Sequence, residues 1–275
     1  MRASVKQVAS GLVFPEGPVW HPDGFLLFSD VHGGTIEKLV GDGRTETWWK
    51  TGKHTNGLIM SPDKKKILAC CYSERELLEI DAWDKSYRVL AAECCGRPFL
   101  NVNDVAVGED GVIYFSDPTW DSTSGLIQGV YAVFPDGRVK LAAEVPYQPN
   151  GLVISPDQQR LYVARSGAHD ILCFHKERGG EISGGMVWTK LFHGAEPDGM
   201  TIDSRGNLYV ALAGTGQLAV IDSKGRCLEV FDICGRMATN CEFHGDDEHL
   251  LYVTGGGRRG SREGGVWLVE FSEIP

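Results

Sequence analysis

The stretch "PDGMTIDSRGNLYVALA", residues 197–213, decides the fold, because its phrasing occurs in six versions along the chain. Each version runs from a small polar signal through a short apolar segment and an aspartate-centred turn into a second β-rich segment. The other five are "PEGPVWHPDGFLLFSD" (15–30), "TNGLIMSPDKKKILACCY" (55–72), "VNDVAVGEDGVIYFSD" (102–117), "PNGLVISPDQQRLYVARS" (149–166) and "TNCEFHGDDEHLLYVTG" (239–255). Their second residues are Glu16, Asn56, Asn103, Asn150, Asp198 and Asn240, spaced by 40, 47, 47, 48 and 42 residues. A period in the forties with several short strands per unit is the mark of a β-propeller.

Working outward from the phrase, a third apolar run follows every copy: "TIEKLV", "ELLEID", "GVYAVF", "DILCFH", "QLAVID" and "GVWLVEF". Five units add a fourth, as "RTETWWK", "YRVLAAE", "RVKLAAE", "GMVWTKLF" and "CLEVFDI"; the sixth has none before the sequence stops. The N-terminal "SVKQVAS" belongs to no unit, so it is expected to complete the last blade and close the ring, which removes two exposed sheet edges. The expectation is one all-β domain over residues 1–275, a six-bladed propeller with no helix of sustained apolar period.

The 27 basic against 37 acidic residues give a net charge of −10, which argues against a nucleic-acid partner. "MRASVKQVASGLVF" (1–14) lacks the apolar core of a secretory signal, and no apolar stretch is long enough to span a bilayer, so a cytoplasmic protein with no membrane partner is expected. Eight cysteines, two of the pairs adjacent and none in a CxxC, make a poor disulfide or zinc framework, and reduced thiols are expected. There is neither a GxSxG nucleophile elbow nor a phosphate-binding GxxxxGKS/T loop.

In a propeller, equivalent residues at one end of the innermost strands converge on the axis. Here that ring would be Glu16, Asn56, Asn103, Asn150, Asp198 and Asn240, every one of which offers a side-chain oxygen. Such a set is repulsive or unsatisfied unless a cation fills it, and hard oxygen donors suit a divalent ion. Read by itself, "EPDGMT" (196–201) is a turn in which Pro197 and Gly199 bend the chain at the channel mouth and present Asp198.

The phrases "FPEGPVW" (14–20), "NDVAVGEDGVIYFSDPTW" (103–120), "PNGLVISPD" (149–157) and "PDGMTIDSRGNLYVA" (197–211) resemble the family of senescence marker protein, gluconolactonase and luciferin-regenerating enzyme. The likeness spans nearly the whole chain, and its four phrases fall in four different blades. It implies a six-bladed propeller with a metal in the channel, held by Glu16, Asn150 and Asp198, with Asn103 either joining them or contacting substrate. It implies one divalent ion, Ca²⁺ first among Mg²⁺, Mn²⁺, Zn²⁺ and Fe²⁺, and a small-molecule lactone as substrate. Asp198 would be the general base as well as a ligand. The chain departs from the vertebrate branch in having Asn101 where that branch places an arginine two residues before the "ND" asparagine, which removes support for phosphorylated or acidic sugars. The "SDPTW" spelling looks more like the bacterial gluconolactonase branch.

The expected activity is thus hydrolysis of an aldonolactone such as gluconolactone, with Asn101, Asn103 and Trp120 as substrate contacts. Tyr147 and His54 are further residues near the ring phrases, the first for stacking and the second for proton transfer; "RRGSREGG" from Arg258 reads as a solvated hairpin loop. Two other readings stay open. Related propellers cleave phosphorus esters with the same kind of metal site, and a propeller can also bind metal without catalysis.

Overall fold

The computed structural model describes residues 2–41, 43–121, 126–235, 237–256 and 262–273. They form six four-stranded antiparallel sheets, whose innermost strands are Pro15–His21, Thr55–Met60, Val105–Val107, Pro149–Ile154, Pro197–Ile202 and Ala238–His244. Each of these strands contacts the next, and the last, Ala238–His244, contacts the first, so the six close around one axis. Closure is made by the N-terminal strand Ala3–Leu12, which pairs with Gly264–Phe271 on the outside of the sixth sheet, Ala3 opposite Phe271. The N-terminal segment therefore does complete the last blade.

The core lies between neighbouring blades. Val19, Leu27 and Ile36 of the first blade pack on Leu58, Ile67 and Leu78 of the second, and equivalent layers repeat around the ring. The period-2 alternation of each strand divides its side chains between the two neighbouring interfaces, so most positions of the middle strands are apolar and buried.

Near the axis there is little room, and the residue after each ring position shows it. A Cβ on Gly17 would lie 2.2 Å from the Asn56 carbonyl oxygen, one on Gly151 2.2 Å from the Asp198 carbonyl oxygen, and one on Gly199 2.0 Å from Cγ of Asn240. Hydrogen bonds tie the same strands across blades: Gly57 N–H donates to the Asn103 carbonyl (2.9 Å), Ser29 to the Asn56 carbonyl (2.7 Å), Ser166 to the Pro197 carbonyl (2.8 Å) and Thr239 to the Pro15 carbonyl (2.8 Å).

These contacts correct the turn expected at Pro197–Gly199. The segment Pro197–Ile202 is strand from its first residue, with Pro197 opposite Leu212 and a register shift before Met200. Proline is tolerated because it begins a sheet-edge strand facing the channel, where its missing N–H breaks no ladder bond. Gly199 is there for close packing against Asn240, not for a bend.

Among the described residues, helix is confined to two short 3₁₀ segments, Val31–Gly33 and Ser166–Ala168. One element had no precedent in the repeat: a hairpin, Glu93–Cys94 with Arg97–Pro98, turned by Cys95 and Gly96 at φ 52° and 76°. All eight cysteines are free.

If the axis is as tight as these contacts make it, Gly151→Ala should destabilise the fold by about 1–3 kcal/mol, because the obstructing atom is backbone and cannot rotate away. Denaturant unfolding measures this; a loss below about 0.5 kcal/mol would show that the inner strands can part.

Candidate metal and active site

Because the first two strands of a blade are antiparallel, the entry to the innermost strand and the exit from the second lie at the same end of the propeller. A cavity of about 440 Å³ opens there. The strand entries supply its floor, with Glu16, Asn56, Asn103, Asn150 and Asp198 all lining it. The exits supply the wall, through Val31 and His32, Tyr72, Trp120, Ser166 and Ala213. Segments leading into inner strands add Phe14, Glu196 and Met237 at the rim.

Backbone irregularity aims the floor residues. Register shifts fall just after Glu16, after Thr55, after Pro149 and after Pro197, so the same local twist recurs where each ring side chain must face the axis. Two aspartates at the ends of second strands hold the lead-in segments: Asp30 accepts the N–H groups of Val13 (3.1 Å) and Phe14 (2.7 Å), and Asp117 those of Leu100 (2.9 Å) and Asn101 (2.8 Å).

Five of the six ring positions reach the cavity; the sixth does not. Asn240 sits deeper, its Oδ1 accepting the Cys241 N–H (2.8 Å) and its side chain hydrogen bonded to Glu16 and Asp104. In the sixth strand the register shift falls before the ring residue, between Ala238 and Asn240, rather than after it, and Met237 lines the cavity instead.

The floor is electrostatically expensive. Glu16, Asn150 and Asp198 are 4%, 3% and 8% exposed, and burial together with the charge of nearby Asp104 pushes Glu16 up to about 8. Asp198 is raised well above the usual carboxylate range, by burial first and then by Glu16 and Asp104. Asp104 itself, removed from water next to Asn103, is pushed up to about 7. Asp104 is absent from the expected site, and the available signal was its place directly after a ring residue, where the other five copies have Gly17, Gly57, Gly151, Gly199 and Cys241.

Asn150 carries a second sign of a missing positive partner. Its Nδ2 donates to Ser166 Oγ (3.1 Å), which fixes the amide, while its Oδ1 is buried with no hydrogen-bond partner. An orphaned amide oxygen beside two buried carboxylates, all on the wall of one cavity, fits a divalent cation with a preference for hard oxygen. Among the described residues no three acidic, histidine or cysteine side chains converge on a point, so the donor set is carboxylate plus amide.

The remaining expected residues divide. Trp120 lines the cavity and is 41% exposed. Asn101 does not line it: its N–H is held by Asp117 and its side-chain amide donates to the Pro118 carbonyl (3.2 Å), which makes it part of the loop scaffold. His54 is likewise outside, its Nδ1 2.8 Å from Glu74 Oε1, and Tyr147 is 60% exposed with Arg165 over its ring. His32, for which the sequence supported no role, is on the wall and packs 5.2 Å from Phe14. The loop at Arg258 lies outside the described residues. No helix among the described residues is long and apolar enough to cross a membrane.

Residues 14–257 match the SMP-30/Gluconolactonase/LRE-like region. A gluconolactonase of Zymomonas mobilis is 27% identical over 91% of this chain and 78% of its own length. Regucalcin of Oryctolagus cuniculus is 34% identical over 87% of this chain and 82% of its own. The solved structure of a gluconolactonase from Xanthomonas campestris superposes with a TM-score of 0.82 at 26% identity, covering 98% of this chain and 89% of that one. The chain belongs to the SMP-30/gluconolactonase/LRE-like family.

Proposed function

We propose that this protein is a metal-dependent hydrolase that opens a small lactone, an aldonolactone such as gluconolactone, in the cavity at the entry of the inner strands. The observation that carries the reading is the buried, unpartnered Oδ1 of Asn150, a residue that lines the same cavity as Glu16 and Asp198. Support from outside the chain is the gluconolactonase name of the Zymomonas and Xanthomonas relatives.

Glu16, Asn150 and Asp198 would hold the ion, with Asn103 on the same floor, and Ca²⁺ comes first because the donors are carboxylate and amide oxygens. A divalent ion held by these residues would supply Lewis acidity toward the lactone carbonyl oxygen. Asp198, ionised once its charge is compensated, accepts the proton of the attacking water as general base. The Asn103 amide donates a hydrogen bond to the developing oxyanion or to a ring hydroxyl. Trp120 offers an aromatic face to the apolar side of the lactone ring. Collapse of the tetrahedral adduct then breaks the ring C–O bond and releases the open hydroxy acid.

A pH-indicator assay on a panel of lactones, with protein stripped by chelator and reloaded one ion at a time, tests the reading. Asp198→Asn should lower kcat by about 10²-fold or more, and Asn150→Ala should weaken ion binding about tenfold or more. No ion-restored hydrolysis of any lactone would sink it, and turnover of paraoxon in place of lactones would move the chemistry to phosphorus esters.

Proton linkage gives an independent check. Glu16 lies near 8 in the metal-free fold against 4.5 ordinarily, so the folded state binds more protons than the unfolded one between those values. Metal-free protein should therefore lose stability as pH rises from about 4.5 to about 8, with a fall in Tm on the order of 5 °C. Ca²⁺ should reverse the loss while releasing protons, so its affinity rises across the same window. Calorimetry in buffers of different ionisation enthalpy measures the release; pH-independent binding with no proton exchanged would contradict the assignment of Glu16.

A further inference from the structure

Glu196 is the carboxylate on the cavity lining that the mechanism leaves unused, and its backbone is held where glutamate does not ordinarily sit. Its φ is 45°, in the left-handed region, and it stands immediately before Pro197. Side chains with a Cβ disfavour this conformation, which persists only where the surroundings enforce it. They do so on both sides: the Glu196 N–H donates to His169 Nδ1 (3.3 Å), and its carbonyl accepts the Ala213 N–H (3.0 Å).

The side chain reaches the cavity alongside Gly214. It lines the cavity, and its Cδ would be 3.3 Å from a Cβ on Gly214, where the chain already has no room for one because the Gly194 carbonyl oxygen would be 2.0 Å away. Of the three carboxylates on the lining, Glu16 and Asp198 are buried in the floor, and Glu196 alone is exposed at the rim. No lysine or arginine is among the described residues of the lining. Much of the rim and wall is apolar or aromatic, from Phe14, Val31, Trp120 and Met237.

We propose that Glu196 is a specificity-determining residue, whose carboxylate accepts hydrogen bonds from the hydroxyl groups of a neutral polyhydroxy lactone and repels anionic ones. A carboxylate has acceptor sites only, so it selects donors, and hydroxyls are the donors a sugar lactone carries. With the ion's charge matched by Glu16 and Asp198, Glu196 leaves the entrance net negative, which disfavours lactones bearing a carboxylate or phosphate. The proposal rests on the lactone-hydrolase reading above and names the substrate class within it. It also accounts for the strain: the left-handed backbone turns the side chain toward the cavity two residues before Asp198.

The test compares gluconolactone, unsubstituted δ-valerolactone and the anionic glucarolactone on parent, Glu196→Ala and Glu196→Gly protein. In both variants the kcat/KM ratio of gluconolactone over δ-valerolactone should fall about tenfold, carried by KM, while the ratio of glucarolactone over gluconolactone rises. Glycine accepts the left-handed backbone, so Glu196→Gly should melt no lower than the parent, which separates recognition from folding. An equal loss on gluconolactone and δ-valerolactone, or no change in either ratio, would overturn the proposal. Should the parent hydrolyse no lactone, the lactonase reading fails by itself. Calorimetric titration with gluconolactam, which is not hydrolysed, still reads Glu196: about tenfold weaker binding in both variants supports the assignment, and equal binding or none to the parent refutes it.

Discussion

Everything in this molecule depends on six strands approaching one axis more closely than side chains allow. The glycines at 17, 57, 151 and 199 meet that demand by having no Cβ where a neighbouring strand's carbonyl or side chain already sits. A ring packed this tightly has no freedom to let its polar residues seek water, so the residues one position before each glycine are held against the channel whatever their own preference. Precise convergence of Glu16, Asn150 and Asp198 is thus a consequence of backbone packing, and the hydrogen bonds from Ser29, Ser166 and Thr239 to the adjacent strand lock it.

The convergence carries an electrostatic cost. Two buried carboxylates with Asp104 beneath them oppose one another's ionisation, and the amide oxygen of Asn150 has given up water without a donor in return. A fold selected for stability alone would not keep such a set. The same features that cost stability make the site a strong host for a divalent ion, because each unfavourable interaction becomes favourable when a positive charge is placed among them. The strained backbone of Glu196 follows the same pattern at the rim, where local free energy is spent to orient one acceptor.

Much of the architecture was legible in the chain because a repeat reports on tertiary structure in a way that a single segment does not. Six phrases with spacings between 40 and 48 specify blades, and an unassigned N-terminal run against a sixth unit short of one strand specifies how the ring closes. Five of six ring residues met at one cavity for that reason. What was not legible came from places where the repeat is broken. The bulge in the strand of Asn240 falls before the ring residue instead of after it, Asn101 is consumed by its own loop, and the cavity residues His32, Glu196 and Met237 sit in connecting segments that share no pattern.

The three copies of Pro-Asp-Gly in this chain mark the division most sharply. At 22–24 and 135–137 the tripeptide is a turn, with Gly24 and Gly137 at φ 82° and 84°. At 197–199 the same three residues begin an inner strand, and the glycine serves only to admit Asn240. The sequence by itself determined the six-fold repeat, the closing strand and the oxygen-bearing residues set at equivalent positions, because those are matters of period and composition. Which aspartate lies in a turn and which lies on the channel floor was decided by the tertiary structure alone, since only the approach of a neighbouring blade distinguishes two identical tripeptides.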